Sequence, residues 1–228
     1  MVLSRELVLR IVSAVVLAPL AVGIAYVGGW PFAAFWTLAA CGILWEWHRV
    51  VAQADDAYAW MAAGCVYAGA LIGACVVLRA DPQYGLTAII FLFAIAWSTD
   101  ILAYFIGRLV GGPKLWVRVS PNKTWSGAVG GALAAIVAGL AVAHYAQIAN
   151  SLAVAGLALL LSAVSQAGDL FESAFKRRFG VKDASHVIPG HGGIMDRLDG
   201  FLAAAAVAAV IGILRGGLDA PARGLLVW

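Results

Sequence analysis

Long, unbroken apolar runs recur along this chain, and they limit what it can fold into more than any other feature. At a rise of 1.5 Å per residue, a helix crosses the hydrocarbon core of a bilayer with roughly 17–25 mostly apolar residues. Stretches 10–28, 31–48, 59–79, 86–107, 126–147, 151–169 and 199–216 meet that requirement. The second is the weakest, because Glu46, His48 and Arg49 crowd its end. None of the runs alternates with period two, which argues against a β-barrel. Of the 228 residues, 63% are hydrophobic and 12% charged. Soluble domains carry about 25% charged residues, so an ordinary water-facing surface is out of reach. The expected fold is all-α, a polytopic transmembrane helical bundle of about seven spans. It forms a single integral membrane domain over 1–228, with N-terminal spans in 1–85 and the catalytic spans and loops in 86–228. Arg5 and Arg10 ahead of the first run resemble a signal peptide, but the spans that follow favour an uncleaved first helix.

The net charge of +3 is modest, yet its distribution is not. Nine of the 15 Lys and Arg residues fall in two segments: Arg108, Lys114, Arg118 and Lys123, then Lys176, Arg177, Arg178, Lys182 and Arg197. Two crossings separate these segments, so they share a membrane face whichever way the chain is inserted. The opposite connections near 28–31 and 148–151 carry no Lys or Arg, and that near 80–85 only the flanking Arg79. By the positive-inside rule both basic segments are expected to face the cytoplasm. Cys41, Cys65 and Cys75 lie inside apolar runs without metal-ligand spacing and are read as buried, reduced thiols. Gly69 and Gly73 form a GxxxG pattern, expected to pack helices within one chain.

Acidic residues in or beside membrane spans are costly and usually functional. Six of the 12 acids, Asp100, Asp169, Glu172, Asp183, Asp196 and Asp199, gather at span ends beside the basic segments. Asp169 and Glu172 are three residues apart, which on a helix puts both carboxylates on one face, with Ser173 next to them. Asp196 and Asp199 repeat the spacing. Two carboxylate pairs at facing helix ends suit hard cations, and oxygen ligands without His or Cys clusters favour Mg2+ over zinc. Between the pairs, the compact turn Pro189-Gly190-His191-Gly192-Gly193 lacks bulky side chains, so its backbone N–H groups can approach an anion. In the other basic segment, Ser120, Lys123 and Thr124 of SPNKTWSG precede a helix, where they can donate to a phosphate or simply cap it.

From Ser173 to Asp199 the chain resembles the signature of the phosphatidate cytidylyltransferase (CDP-diacylglycerol synthase) family, SxxKRxxxxKDxxxxxPGHGGxxDRxD, at every fixed position. GDLFES is similar to the family's GDLxES, SPNKTWSG to its SPKKTxEG, and DILAYFIGR from Asp100 to Arg108 to its DTxAYxxGR. Asn122, Ser126 and Ile101 depart from the usual Lys, Glu and Thr. The resemblance covers roughly the C-terminal half; the first three spans read as apolar filler. It implies transfer of the cytidylyl group of CTP to phosphatidate in phospholipid biosynthesis. It implies Asp169, Asp196 and Asp199 as metal-centred catalytic carboxylates joined by Asp100 and Glu172, and a Mg2+ cofactor with K+ as second cation. Lys182 joins the catalytic set. Lys176, Arg177, His191 and Arg197, with Ser173, Gly192 and Gly193, would hold phosphates, and Ser120, Lys123 and Thr124 the lipid phosphate or the triphosphate. The implied partners are CTP, phosphatidate and the bilayer of a bacterial-type inner membrane, with no nucleic acid; the family also suggests a homodimer. A CTP-dependent kinase of a lipid alcohol and a cation-coupled transporter are the competing readings. Acids gathered toward one face, rather than at the midplane, argue against the transporter.

Overall fold

The computed structural model describes residues 5–188, 190 and 192–228. Seven long helices follow the apolar runs: α1 (Arg5–Val27), α2 (Gly29–Val51), α3 (Ala57–Ala80), α4 (Gly85–Val110), α5 (Trp125–Tyr145), α6 (Ser151–Arg178) and α7 (Met195–Gly216). A short α8 (Pro221–Leu226) closes the chain. Five of them, α3 to α7, are long and apolar enough to cross a membrane by length and composition. Among the described residues of α1, Val12–Val27 form a shorter apolar stretch. Helix α2 falls short because Trp30, Pro31, Trp36, Trp45 and Glu46 lower its hydropathy.

The largest departure from the boundaries read off the sequence is at the end of α6. The apolar run of α6 ends near Asp169, but its helix continues to Arg178. Hydropathy tests for lipid, whereas Leu, Glu, Ala, Lys and Arg in DLFESAFKRR are good helix formers in water as well. The connection to α7 therefore shrinks to 179–194. The segment after α4 also gains structure: β1 (Lys114–Trp116) and β2 (Ser120–Thr124) pair as an antiparallel hairpin, Lys114 opposite Thr124 and Trp116 opposite Ser120. The fold is thus an all-α bundle with one small hairpin at its end.

Close helix contact within the chain is made by Gly127 and Gly131 of α5, a second GxxxG. A Cβ there would stand 2.6 Å from the Ala103 carbonyl oxygen and 2.7 Å from that of Thr99, so the backbones of α4 and α5 touch. Gly69 and Gly73, expected to do this, have nothing within 4 Å of a built Cβ and are exposed on α3. Two of the three cysteines also depart from expectation: Cys41 and Cys65 are exposed on the perimeter, and only Cys75 is buried. Apolar residues on a membrane helix have no reason to point inward, because lipid is as apolar as the core.

The interior is aromatic on the α2 side. Trp36 stacks on Phe201 of α7 at 5.1 Å, and Trp47 on Phe175 of α6 at 4.0 Å. The second stack brings the end of α2, and the neighbouring Glu46, against the polar extension of α6.

Candidate functional site

On α6 the polar residues Asp169, Glu172, Ser173 and Lys176 follow the i, i+3, i+4, i+7 spacing of a single helix face. All four line one cavity of about 1010 Å³ at the end of the bundle. Helix α7 adds Asp196, Arg197 and Asp199, α4 adds Asp100 and Arg108, and the hairpin adds Lys114 and Lys123. Asp183 reaches in from the 179–194 connection. Asp100 stands ten residues before the end of α4, roughly 15 Å along its axis, so the cavity runs into the depth of the bundle.

The two basic segments meet here. Lys123 of β2 forms an ion pair with Asp169 of α6, both about one-third exposed at 29% and 32%. Lys176 behaves differently. It is buried and clamped between two carboxylates, Glu172 at 2.8 Å on its own helix and Asp196 on α7. Removing one partner of such a buried cluster leaves uncompensated charge, at about 3–5 kcal/mol. Asp196 is further engaged as acceptor from the backbone N–H of Gly193 at 2.8 Å and of Ala184 at 3.3 Å. The clamp thus ties α6, α7 and their connection into one unit.

The expected residues divide into groups. Asp100, Asp169, Asp199, Lys123 and Arg197 present charge to the cavity. Thr124 also lines it, but as the N-cap of α5 its Oγ1 accepts from Gly127 N at 3.1 Å. Ser120 lies in the hairpin opposite Trp116, outside the cavity wall, as do Arg177 and Lys182, both exposed. Arg177 donates to the Val181 carbonyl at 3.4 Å. Gly192 and Gly193 stand behind Asp196. Gly192 has φ +87°, and a Cβ on it would sit 3.0 Å from Asp196 Oδ2. At the end of the turn Gly193 N donates to Asp196, and just beyond it Ile194 N and Met195 N donate to Glu46. His191 lies outside the described residues.

The donors suit a hard cation. Asp100, Asp169 and Asp199 put carboxylates on the cavity wall, and Glu172 Oε1 is buried without a hydrogen-bond partner. Among the described residues no three acidic, His or Cys side chains converge closely enough to hold a metal by themselves.

Sequence reading missed two features. Glu46 was treated as an obstacle at the end of a span, although an acid inside an apolar helix is the same signal that singled out Asp100. The other is an apolar groove of about 460 Å³ lined by Trp116, Trp125, Val129 and Leu170. It shares Leu115, Ala128 and Gln166 with the polar cavity. Nothing in a run of Ala, Val and Leu marks a groove in advance.

A protein-family model described as the cytidylyltransferase family matches residues 56–214. Among curated proteins, one from Brucella suis biovar 1 (strain 1330) named phosphatidate cytidylyltransferase is 51% identical over 184 residues, 81% of this chain and 66% of that protein. A protein of the same name from Brucella abortus biovar 1 (strain 9-941) is 52% identical over 177 residues, 78% of this chain and 64% of that protein. The Staphylococcus aureus (strain COL) protein of that name is 45% identical over 119 residues, 52% of this chain and 46% of its own length. The chain spans just under two thirds of the length of the Brucella relatives. The family match takes in α3 to α7, the hairpin and the whole charged cavity, and the chain belongs to the cytidylyltransferase family.

Proposed function

We propose that the chain transfers the cytidylyl group of CTP to phosphatidate, giving CDP-diacylglycerol and pyrophosphate in phospholipid synthesis. One observation carries this reading: a charged cavity that reaches into the helix bundle and shares Leu115, Ala128 and Gln166 with an apolar groove beside it. A substrate with an anionic head and two acyl chains matches that pairing, and the printed name of the relatives agrees with it.

The chemistry fits the residues. A phosphate oxygen of phosphatidate attacks the α-phosphorus of CTP, a new P–O bond forms, the α–β anhydride bond breaks, and pyrophosphate leaves with the electron pair. A phosphomonoester has its second pKa near ~6, so at neutral pH the nucleophile is largely dianionic and no strong base is required. The task is to bring two polyanions together and to stabilise charge on the leaving group. Lys114, Lys123, Arg108 and Arg197 surround the cavity and supply positive charge for that. Asp199, Asp169, Asp100 and Glu172 would hold Mg2+, with K+ as a second cation, whose contribution is to neutralise phosphate oxygens during transfer. Lys176, clamped by Glu172 and Asp196, serves to keep α6 and α7 in register. The positive charge of the hairpin and of the 179–194 connection supports a cytoplasmic position for this end of the bundle under the positive-inside rule.

Mass spectrometry of lipids after incubation of the purified protein with phosphatidate, CTP and Mg2+ tests the proposal. The expected product retains cytidine and appears with an equal amount of pyrophosphate. Transfer of phosphate alone, onto a lipid alcohol, would assign the site to a kinase instead.

A further inference from the structure

Glu46 is fully buried near the end of α2, in a part of the chain outside the segment that the family model matches. Its Oε1 accepts from Ser185 Oγ and from Ile194 N at 2.8 Å, and its Oε2 accepts from Met195 N at 2.7 Å. Among the described residues it takes part in no ion pair. Met195 is the first residue of α7, and Ile194 ahead of it offers no side-chain cap. The first N–H groups of a helix have no partner within it, and the positive end of the helix dipole favours a carboxylate there. Gly193 leaves room for it: a Cβ at that position would fall 2.6 Å from Glu46 Oε1.

We infer that Glu46 is a positioning residue for the charged site: a carboxylate of α2 that caps α7 from outside and pins Ser185, Ile194 and Met195, so that Asp196 and Asp199 face the cavity. Asp196 and Asp199 are one and four residues beyond Met195, so any rotation of the first turn of α7 moves them directly. The same cap holds both ends of the glycine turn, Ser185 before it and Ile194 after it. Partners that orient metal-binding or catalytic side chains without touching substrate contribute about 10–100-fold to affinity or activity. The kinetic part of this inference rests on the cytidylyl transfer proposed above; the structural part does not.

The test uses the full chain in lipid nanodiscs, with Glu46→Gln and Ser185→Ala. Gln keeps one acceptor and turns an NH2 group against a backbone N–H, while Ser185→Ala removes a single bond. Trypsin cleavage after exposed Lys182 reports release of the pinned connection. Cleavage after Lys114 and Arg118 in the hairpin, at the same end, reports general loosening. For Glu46→Gln the expected result is cleavage at Lys182 roughly 10–100-fold faster, the effect of losing a charge-assisted hydrogen bond, with hairpin cleavage unchanged. The kcat should fall by about 10–100-fold with KM for CTP little altered. Ser185→Ala should shift both readouts in the same direction by less, and it decides the matter if Glu46→Gln does not fold. Unchanged cleavage at Lys182 in both variants overturns the inference, and so does an equal rise at all three sites, which marks a merely structural acid. Faster cleavage at Lys182 alone in the variants, combined with a wild-type protein that makes no cytidylyl lipid, leaves the pinning in place and removes the proposed reaction.

Discussion

The two ends of the helix bundle solve the same problem and leave different remainders. At each end, one buried acid caps a helix from elsewhere in the chain: Glu46 caps α7, and Asp81 accepts from Arg223 N at 2.9 Å in α8. At the Asp81 end the neighbouring charges also finish on backbone. Arg79 donates to the last carbonyls of α1, at Ala25 (2.7 Å) and Tyr26 (3.2 Å). Arg215 donates to the Gly224 and Val227 carbonyls and lies 3.5 Å over the Trp228 ring. At the Glu46 end, after the cap and the Lys176 clamp are complete, Asp100, Asp199, Arg197 and Lys114 still face a cavity. Capping and clamping are architecture; the charge left over is what a substrate can use.

Four substitutions can break or sharpen that contrast. Lys176→Met removes the amine between Glu172 and Asp196 and should cost about 3–5 kcal/mol of stability, read as a large fall in the thermal midpoint. Asp199→Asn touches the remainder rather than the architecture. Transfer from labelled CTP should drop by about 10²–10³-fold at an unchanged thermal midpoint. A variant with near-normal turnover would remove Asp199 from the site. Asp81→Ala should do the reverse, lowering stability by about 0.5–2 kcal/mol, as loss of a helix cap does, while kcat and KM stay at wild-type values. A kinetic defect there would mean that the two ends are coupled. The smallest effect belongs to Arg178→Gln, since Arg178 is exposed and lines no part of the cavity. Activity within about twofold of wild type is expected, a surface change away from any special feature.

The sequence made the spans legible because lipid demands a long apolar run and little else produces one. It made part of the charged face legible too: Asp169, Glu172 and Ser173 needed only helical spacing to be placed together, and Lys176 joins them because α6 runs on to Arg178. What stayed hidden depends on which side of a helix meets a neighbour. Gly69-Gly73 and Gly127-Gly131 carry the same pattern, and only the second touches another helix. Lys176 and Lys123 read alike in sequence, yet one is buried between two carboxylates and the other is partly open. The capping of Ile194 N and Met195 N by Glu46 also stayed hidden, because that acid lies some 150 positions earlier.

That separation has a consequence for biogenesis. The nascent chain delivers Glu46 to the membrane well before Ser185, Ile194 and Met195 exist, 139 to 149 residues later. At about 5–20 residues per second of synthesis, the gap lasts roughly 7–30 s. Throughout it the carboxylate lacks the backbone donors that hold it in the finished protein, so its charged form is favoured in water rather than in the bundle. The second helix therefore cannot settle to its final depth during early insertion, and ribosomes stalled before residue 185 should leave it shallower than ribosomes that have passed α7.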